Sequence, residues 1–405
     1  MKTIQNNKCI GLFVSLFLLA SCGESVESQA GSEYGLTSNF TESELINHLT
    51  DKVIKPRHLA FLDSVEHQVE TITNYCQTLA DTDNMDKTQV QQAFKNSLAN
   101  WQQIEVMQMQ ILSADTNALR SQIYSWPDST TSCGVDQDVA FYASGSVNGQ
   151  PYNIKNRLNN RKGLDALEYL LFTENLNHSC KVESGALTGW NELNSQTRKI
   201  QRCEYAALVS QDILDTFKQV ENHWYQGQTP YIETLKQGDV REAINTLGQA
   251  LFYVDFLKDN KLGVPLGYFS NQCGNAPCPN DIESQYSQLS LTNIQHNLIA
   301  FKALFTGETE QLSGDNENAL GFDDYLAAVG DSETSDTILA RLAQAQQVLE
   351  SINADFATAL TNQGDEFIKY QTLHAEFKAI TDQLKTHFIT SLAVELPDSS
   401  AGDND

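Results

Sequence analysis

The hydrophobic spacing of this chain admits one kind of secondary structure almost throughout. In "TILARLAQAQQVLESINADFATAL", Ile338, Leu342, Ala345, Leu349, Ile352, Phe356 and Ala359 recur at steps of four and three. Leu62, Val65, Val69, Ile72, Cys76 and Leu79 repeat the pattern near the start, and Tyr370, Leu373, Phe377, Ile380 and Leu384 near the end. Such steps draw one apolar stripe along one helix face, as in antiparallel bundles. No run alternates apolar and polar residues as a half-buried strand requires. The chain is therefore expected to be all-α. Long helices are expected at about 53–80, 87–112, 154–173, 190–225, 238–259, 281–306, 335–362 and 365–394.

Eight helices exceed the comfortable size of one hydrophobic core, so two domains are expected. The break falls in "YQGQTPYIETLKQGD", residues 225–239, with its Gly and Pro. The expected architecture is two four-helix bundles packed side by side: an N-terminal bundle over 41–230 and a C-terminal bundle over 231–395. Residues 396–405 read as a disordered acidic tail. Two long connections interrupt the helices, residues 113–153 and 260–280, and connections of this length more often carry function than act as spacers.

The first residues give an address. "MKTIQNNK" carries Lys2 and Lys8, and "CIGLFVSLFLLA" is too short for a stable membrane span. It runs into "LASC", ending at Cys22, which resembles the lipobox of bacterial lipoproteins. The resemblance implies a signal peptide over 1–21, lipidation of Cys22 and, with Gly23 following, an outer-membrane lipoprotein facing the periplasm or the cell surface. Residues 22–40, polar and rich in Gly and Ser, are expected to form a flexible tether. Contact with the membrane is expected through the lipid only. The formal net charge is −26, and cleavage would remove two lysines and no acid. A surface so acidic, with no basic cluster, excludes nucleic acid as a partner.

Cys9 is expected to leave with the signal. Cys76, Cys133, Cys180, Cys203, Cys273 and Cys278 remain, an even set that in an exported chain predicts disulfides. Of the 15 pairings six cysteines allow, proximity favours only Cys273–Cys278, in "CGNAPC".

Common catalytic signatures are missing. The eight histidines form no HExxH and no His-x-x-x-His pair, and there is no GxSxG elbow, P-loop, Rossmann fingerprint or EF-hand loop. What stands out is "RKGLDALEYLLF", residues 161–172, which sets Asp165 and Glu168 three apart in the most apolar stretch after the leader. On a helix they share a face and could hold one cation, as carboxylate pairs do inside metal-binding bundles. Equally, they could sit on the wet side of an amphipathic helix near its start, where the helix dipole favours acids. Gly163 leaves room for a close backbone or ligand approach. In "NWQQIE", Trp101 and Glu105 lie one turn apart. In "YSWPD", Trp126 and Asp128 flank a Pro-fixed turn.

These segments resemble the imelysin (M75-type peptidase-like) family. "GLDALEYLLF" is similar to its GxHxxE segment, with Gly163, Asp165 and Glu168 at the motif positions, and "NWQQIE" and "WPD" are similar to flanking segments. "KLGVPLG" and "IESQYSQLSLTNIQHNLIAFKALFTG" resemble the second-domain signature, with Glu283, Ser284, Ser287 and Ser290 as its acid and hydroxyls. The resemblance implies two helical bundles, a site at their junction, export and a link to iron acquisition. Asp165 stands where the family has His, which replaces a nitrogen ligand by a hard oxygen and removes the best general base.

The resulting expectation is a lipoprotein that binds a cation or metal complex, iron or another divalent cation, between the bundles as an accessory to iron uptake. Asp165, Glu168 and Glu105 would be metal ligands. Gly163, Trp101, Trp126, Asp128, Glu283, Ser284 and Ser287 would form the pocket. The alternatives are an M75-type metallopeptidase, for which the sequence offers too few close ligands, and a metal-free adaptor of an outer-membrane receptor. The residues name no catalytic group.

Overall fold

The computed structural model describes residues 40–79, 86–109, 112, 118–127, 131–183, 185–309, 319–397 and 400. The signal peptide, Cys22, nearly all of the tether and Asp128 lie outside these residues. Within them the chain is all-α, as the spacing predicts. The one sheet among the described residues is a two-residue hairpin, Ser146–Val147 against Gln150–Pro151, paired Ser146 to Pro151 and Val147 to Gln150.

Helices α1 (Lys55–Leu79), α2 (Thr88–Glu105), α3 (Ser132–Ser144), α4 (Gly163–Phe172) and α5 (Ser195–Tyr225) make up the early half. Of these, α1, α2, α4 and α5 pack on one another as a bundle, with α3 against α5. In the later half, α6 (Val240–Ala250) leads through Tyr253–Phe256 into a π-helical stretch, Leu257–Gly263. That broken run packs on α7 (Ser290–Thr306) and α9 (Asp365–Gln383), and α8 (Ser332–Ser351) packs on both of these helices. The two halves meet along α2 and α7. Apolar side chains from both sides of that contact, Leu98 and Trp101 with Ile294 and Leu298 among them, belong to one continuous buried cluster.

The opening helix, Glu42–His48, does not stay with the early half. It packs on α6, His48 Nε2 bonds Gly307 O at 2.8 Å, and Tyr325 bonds Glu42. At the other end, Leu396 packs against the core and Ser400 is buried, both inside the stretch expected to be a free tail.

Several expected helices are shorter than their periodicity suggests. The helix expected over 154–173 begins at Gly163, because residues 154–161 fold as 3-10 turns. The one expected over 281–306 begins at Ser290. The connection at 113–153 in turn hides α3, whose stripe is interrupted by two buried acids. Asp136 pairs with Arg202 at 2.8 Å, and Asp138 with Arg157 at 2.5 Å. An acid whose counter-ion lies far along the chain cannot be recognised as core from spacing alone.

All six described cysteines are bridged, as Cys76–Cys203, Cys133–Cys180 and the expected Cys273–Cys278. Cys76–Cys203 ties α1 to α5 across a separation of 127 residues, whereas Cys273–Cys278 closes a separation of only 5. Cross-linking removes more freedom from the unfolded chain as the closed loop grows. Replacing Cys76 and Cys203 by Ser should cost about 3–5 kcal/mol in denaturant titration, and replacing Cys273 and Cys278 distinctly less.

Candidate functional site

Helix α4 has no wet face. Every residue from Gly163 to Leu171 is buried, because α2, α5, the segment Ala118–Ile123 and the loop after residue 282 surround it. Gly163 makes this enclosure possible. Its φ of +83° suits Gly, and a Cβ there would stand 2.8 Å from the carbonyl oxygen of Ile123. The acids of this helix therefore point into protein, 8% and 6% exposed for Asp165 and Glu168.

Each acid is held by the same kind of cradle: two successive backbone N–H groups and one serine hydroxyl, all on one carboxylate oxygen. Asp165 Oδ2 accepts from Ser125 N at 2.6 Å, Ser125 Oγ at 2.8 Å and Trp126 N at 3.3 Å. Glu168 Oε1 accepts from Ser287 N at 2.7 Å, Ser287 Oγ at 2.8 Å and Tyr286 N at 2.9 Å. The first cradle belongs to the early half and the second to the later half, so α4 is stapled across the seam. The second cradle depends on a tight turn. Ser284 and Gln288 adopt φ of +55° and +57°, and Gln288 N bonds Ser284 O at 2.9 Å, which turns the N–H groups between them toward Glu168. Asp165 Oδ1 and Glu168 Oε2 form no hydrogen bond with the described residues.

Behind the cradles lies a fully buried ion network. Lys261 Nζ is 3.2 Å from Glu105 Oε2, 3.0 Å from Glu283 Oε1 and 2.9 Å from Asn297 Oδ1, and it also bonds Gln102 Oε1. Glu105 takes Arg120 Nη2 at 2.6 Å and Tyr253 OH at 2.9 Å, and Glu283 takes Tyr124 OH at 2.6 Å. Burial pushes the Glu105 carboxyl up, but Lys261 and Arg120 outweigh it and hold it below the usual carboxylate range. Arg120 also bonds the carbonyls of Tyr124 and Trp126, fixing the turn that presents the first cradle. Ser290 bonds the Glu283 carbonyl and Asn293 the Ser284 hydroxyl, which fixes the second.

A cavity of about 150 Å³ opens at the seam. Asp165, Glu168, Trp126 and Pro127 line one side, and Asn260, Val264 and residues 280–282 and 284–286 line the other. Burial raises Asp165 to about 6 against the pull of Ser125 and Arg120, and raises Glu168 to about 7 against the pull of the Ser287 donors. Two buried acids that titrate near neutrality beside a cavity make this the strongest candidate site in the molecule.

The structure keeps some expected site residues and removes others. Asp165, Glu168, Trp126 and Ser284 line the cavity, and Ser287 holds Glu168. Trp126 also precedes a cis peptide bond to Pro127. Glu105 is not a partner of the acid pair, because both of its oxygens are taken by Arg120, Tyr253 and Lys261. Glu283 likewise turns into that network and does not line the cavity. Trp101 is a core residue packed on Phe61 at 5.3 Å and is not a cavity wall. Among the described residues, no three His, Cys, Asp or Glu side chains converge on one metal-sized point. The pair therefore suits a cation that brings ligands of its own, not one enclosed by protein alone.

Comparison with known proteins agrees with this layout. The family model described as Imelysin, Peptidase M75, matches residues 54–387. The chain belongs to the imelysin family. A structure designated an iron-regulated protein A precursor, from Parabacteroides distasonis ATCC 8503, superimposes with a TM-score of 0.65 at 17% identity, covering 90% of this chain and 98% of that one. An imelysin-like protein from Psychrobacter arcticum 273-4 gives a TM-score of 0.60 at 16% identity, covering 89% and 98%. At these identities the likeness speaks for the fold. No curated protein matches the sequence.

Within the imelysin fold, then, Gly163 allows the close approach, while Asp165 and Glu168 are the carboxylates at the junction. Lys261, in the "KLGVPLG" segment, is the residue that sequence reading passed over. A Lys at the end of the polar run "KDNK" looks like a helix-surface residue, and only the convergence of Gln102, Glu105, Glu283 and Asn297 reveals its role.

Because the folded-state value of Glu168 is raised, its neutral form favours folding below the ordinary carboxylate range, and that benefit is lost as pH rises through about 7. Glu168→Gln keeps an oxygen for the Ser287 donors and never ionises. The variant should melt a few degrees above the parent at pH 8 and within a degree of it near pH 4, read by calorimetry.

Proposed function

We propose that this imelysin-family chain is an outer-membrane lipoprotein that binds a cation at the seam between its halves, as a hydrated ion or metal complex, in support of iron uptake. One observation carries the reading. Two buried carboxylates of α4 each have one oxygen fixed by three donors and the other without a hydrogen bond among the described residues, beside the same cavity. Holding two acids in a protein interior is unfavourable unless a positive charge balances them. The network behind cannot supply it, because Lys261 and Arg120 are matched by Glu105 and Glu283.

The two open oxygens would supply the inner contacts to the cation, and water or the ligands of a complex the rest. Oxygen donors suit ferric iron, calcium or magnesium. The iron assignment draws on the designation of the Parabacteroides protein as iron-regulated. The anchor draws on "LASC" at Cys22 and on the charged and apolar stretches before it.

Isothermal titration with ferric citrate, Ca²⁺ and Mg²⁺ tests the site. At least one should bind, and Asp165→Asn with Glu168→Gln should weaken it tenfold or more. Since the acids must lose their protons, affinity should rise between pH 5.5 and 8 and binding should release protons. Equal binding by parent and double variant would remove the pair from the reading. Mass spectrometry of the membrane-extracted chain should find acyl groups on Cys22, and an unmodified Cys22 would end the anchor proposal.

A further inference from the structure

The wall of the seam cavity that faces the acid pair carries one more polar group without a partner. Asn260 lines it from the π-helical stretch Leu257–Gly263 of the later half. Its side chain is half-buried, forms no hydrogen bond with the described residues and is not sealed off from open space. The other polar side chains of that wall are engaged. Asp281 accepts from Gln272 N at 2.8 Å and Gln272 Nε2 at 2.6 Å, Ser284 accepts from Asn293, and Gln285 donates to the Asn280 carbonyl. The residue after Asn260 explains its placement. Lys261 is held on four partners in the buried network, which fixes this stretch against the seam. Single π-helical turns of this kind are frequent at functional sites.

Size and charge restrict what this cavity can take. Its volume, about 150 Å³, is well below the roughly 300 Å³ at which sites for organic ligands begin. At about 30 Å³ for each water it has room for about five. Three acids line it, Asp165, Glu168 and Asp281, and no Lys, Arg or His does among the described residues. A metal chelate built on carboxylates of its own would bring further negative charge against three acids, in a space too small for it. A small cation in a shell of water meets neither obstacle. The carboxamide oxygen of Asn is an ordinary ligand of such ions, beside carboxylates and water.

Resting on the cation reading above, we propose that the seam takes a hydrated divalent cation free of chelator, with the Asn260 carboxamide oxygen as its third protein ligand. The other two are Asp165 Oδ1 and Glu168 Oε2. Magnesium and calcium take roughly six to eight oxygens, so three from the protein leave roughly three to five for water. That number of waters matches the space. The two carboxylates stand on α4 of the early half and Asn260 on the later half, so the ion would also tie the halves together.

The test is isothermal titration of the full chain at pH 8 with calcium chloride, magnesium chloride and ferric citrate, alongside Asn260→Leu and Asn260→Asp. Calcium or magnesium should bind once per chain, and ferric citrate at least tenfold more weakly. Asn260→Leu should weaken the divalent ion fivefold or more. Asn260→Asp, which makes the third oxygen anionic, should tighten it by a similar factor. Because Asn260 has no hydrogen bond to lose, both variants should keep the parent's circular dichroism and melting temperature in EDTA. Tighter binding of ferric citrate than of either divalent ion, or parent-like affinity in both Asn260 variants, would overturn the proposal while leaving the acid pair as a cation site. Binding of none of the three would overturn both.

Discussion

An ammonium group cannot stay charged in a protein interior unless the interior is built around it. Lys261 is fully buried, and the groups that stabilise its charge come from both halves of the molecule: Gln102 and Glu105 from α2, Glu283 and Asn297 from the later half. Removing such a charge from water costs several kcal/mol, and only close opposite charges with good hydrogen bonds offset that cost. The halves must therefore dock in one register for the network to close. The turn at Tyr124–Trp126 hangs from Arg120, and the turn at Ser284–Ser287 is anchored by its neighbour Glu283. Both carboxylate cradles inherit their positions from this one ion.

The electrostatics explain why neighbouring acids behave differently. Glu105 meets two full positive charges and stays ionised despite complete burial. Asp165 and Glu168 meet chiefly backbone dipoles and hydroxyls, and even with the more distant pull of Arg120 on Asp165 these offset only part of the desolvation, so burial prevails and both titrate closer to neutrality. The distinction separates structural acids from a pair still lacking a counter-charge. It also explains why a GxHxxE-like segment can carry Asp in place of His here: the cradle at Ser125 offers donors, which an anionic oxygen accepts readily.

Much of this was legible in the chain. Steps of three and four gave the helices, because burial against neighbours is what such a stripe serves. The acid pair announced itself by standing in an apolar stretch, and enclosure of α4 on all sides decides between the wet-face and inward readings. What spacing could not show were contacts made across long separations. Glu105 is expected as a third ligand from its place in "NWQQIE", yet its partners are Arg120, Tyr253 and Lys261. Helix α3 was hidden because Asp136 and Asp138 depend on arginines elsewhere. Ser284 and Ser287 were flagged by resemblance alone, since a left-handed turn at a non-glycine residue leaves no pattern in composition.

The covalent bridges are distributed in a way that bears on mechanics. Cys76–Cys203 and Cys133–Cys180 knit the early half, and Cys273–Cys278 closes a loop of the later one; among the described cysteines none crosses between them. Strain applied to the molecule would thus meet long-range covalent bridges in the early half, and across the joint only packing, hydrogen bonds and ions. Reducing agents would therefore loosen the early half while leaving the contacts of that joint, and the acid pair beside it, chemically untouched.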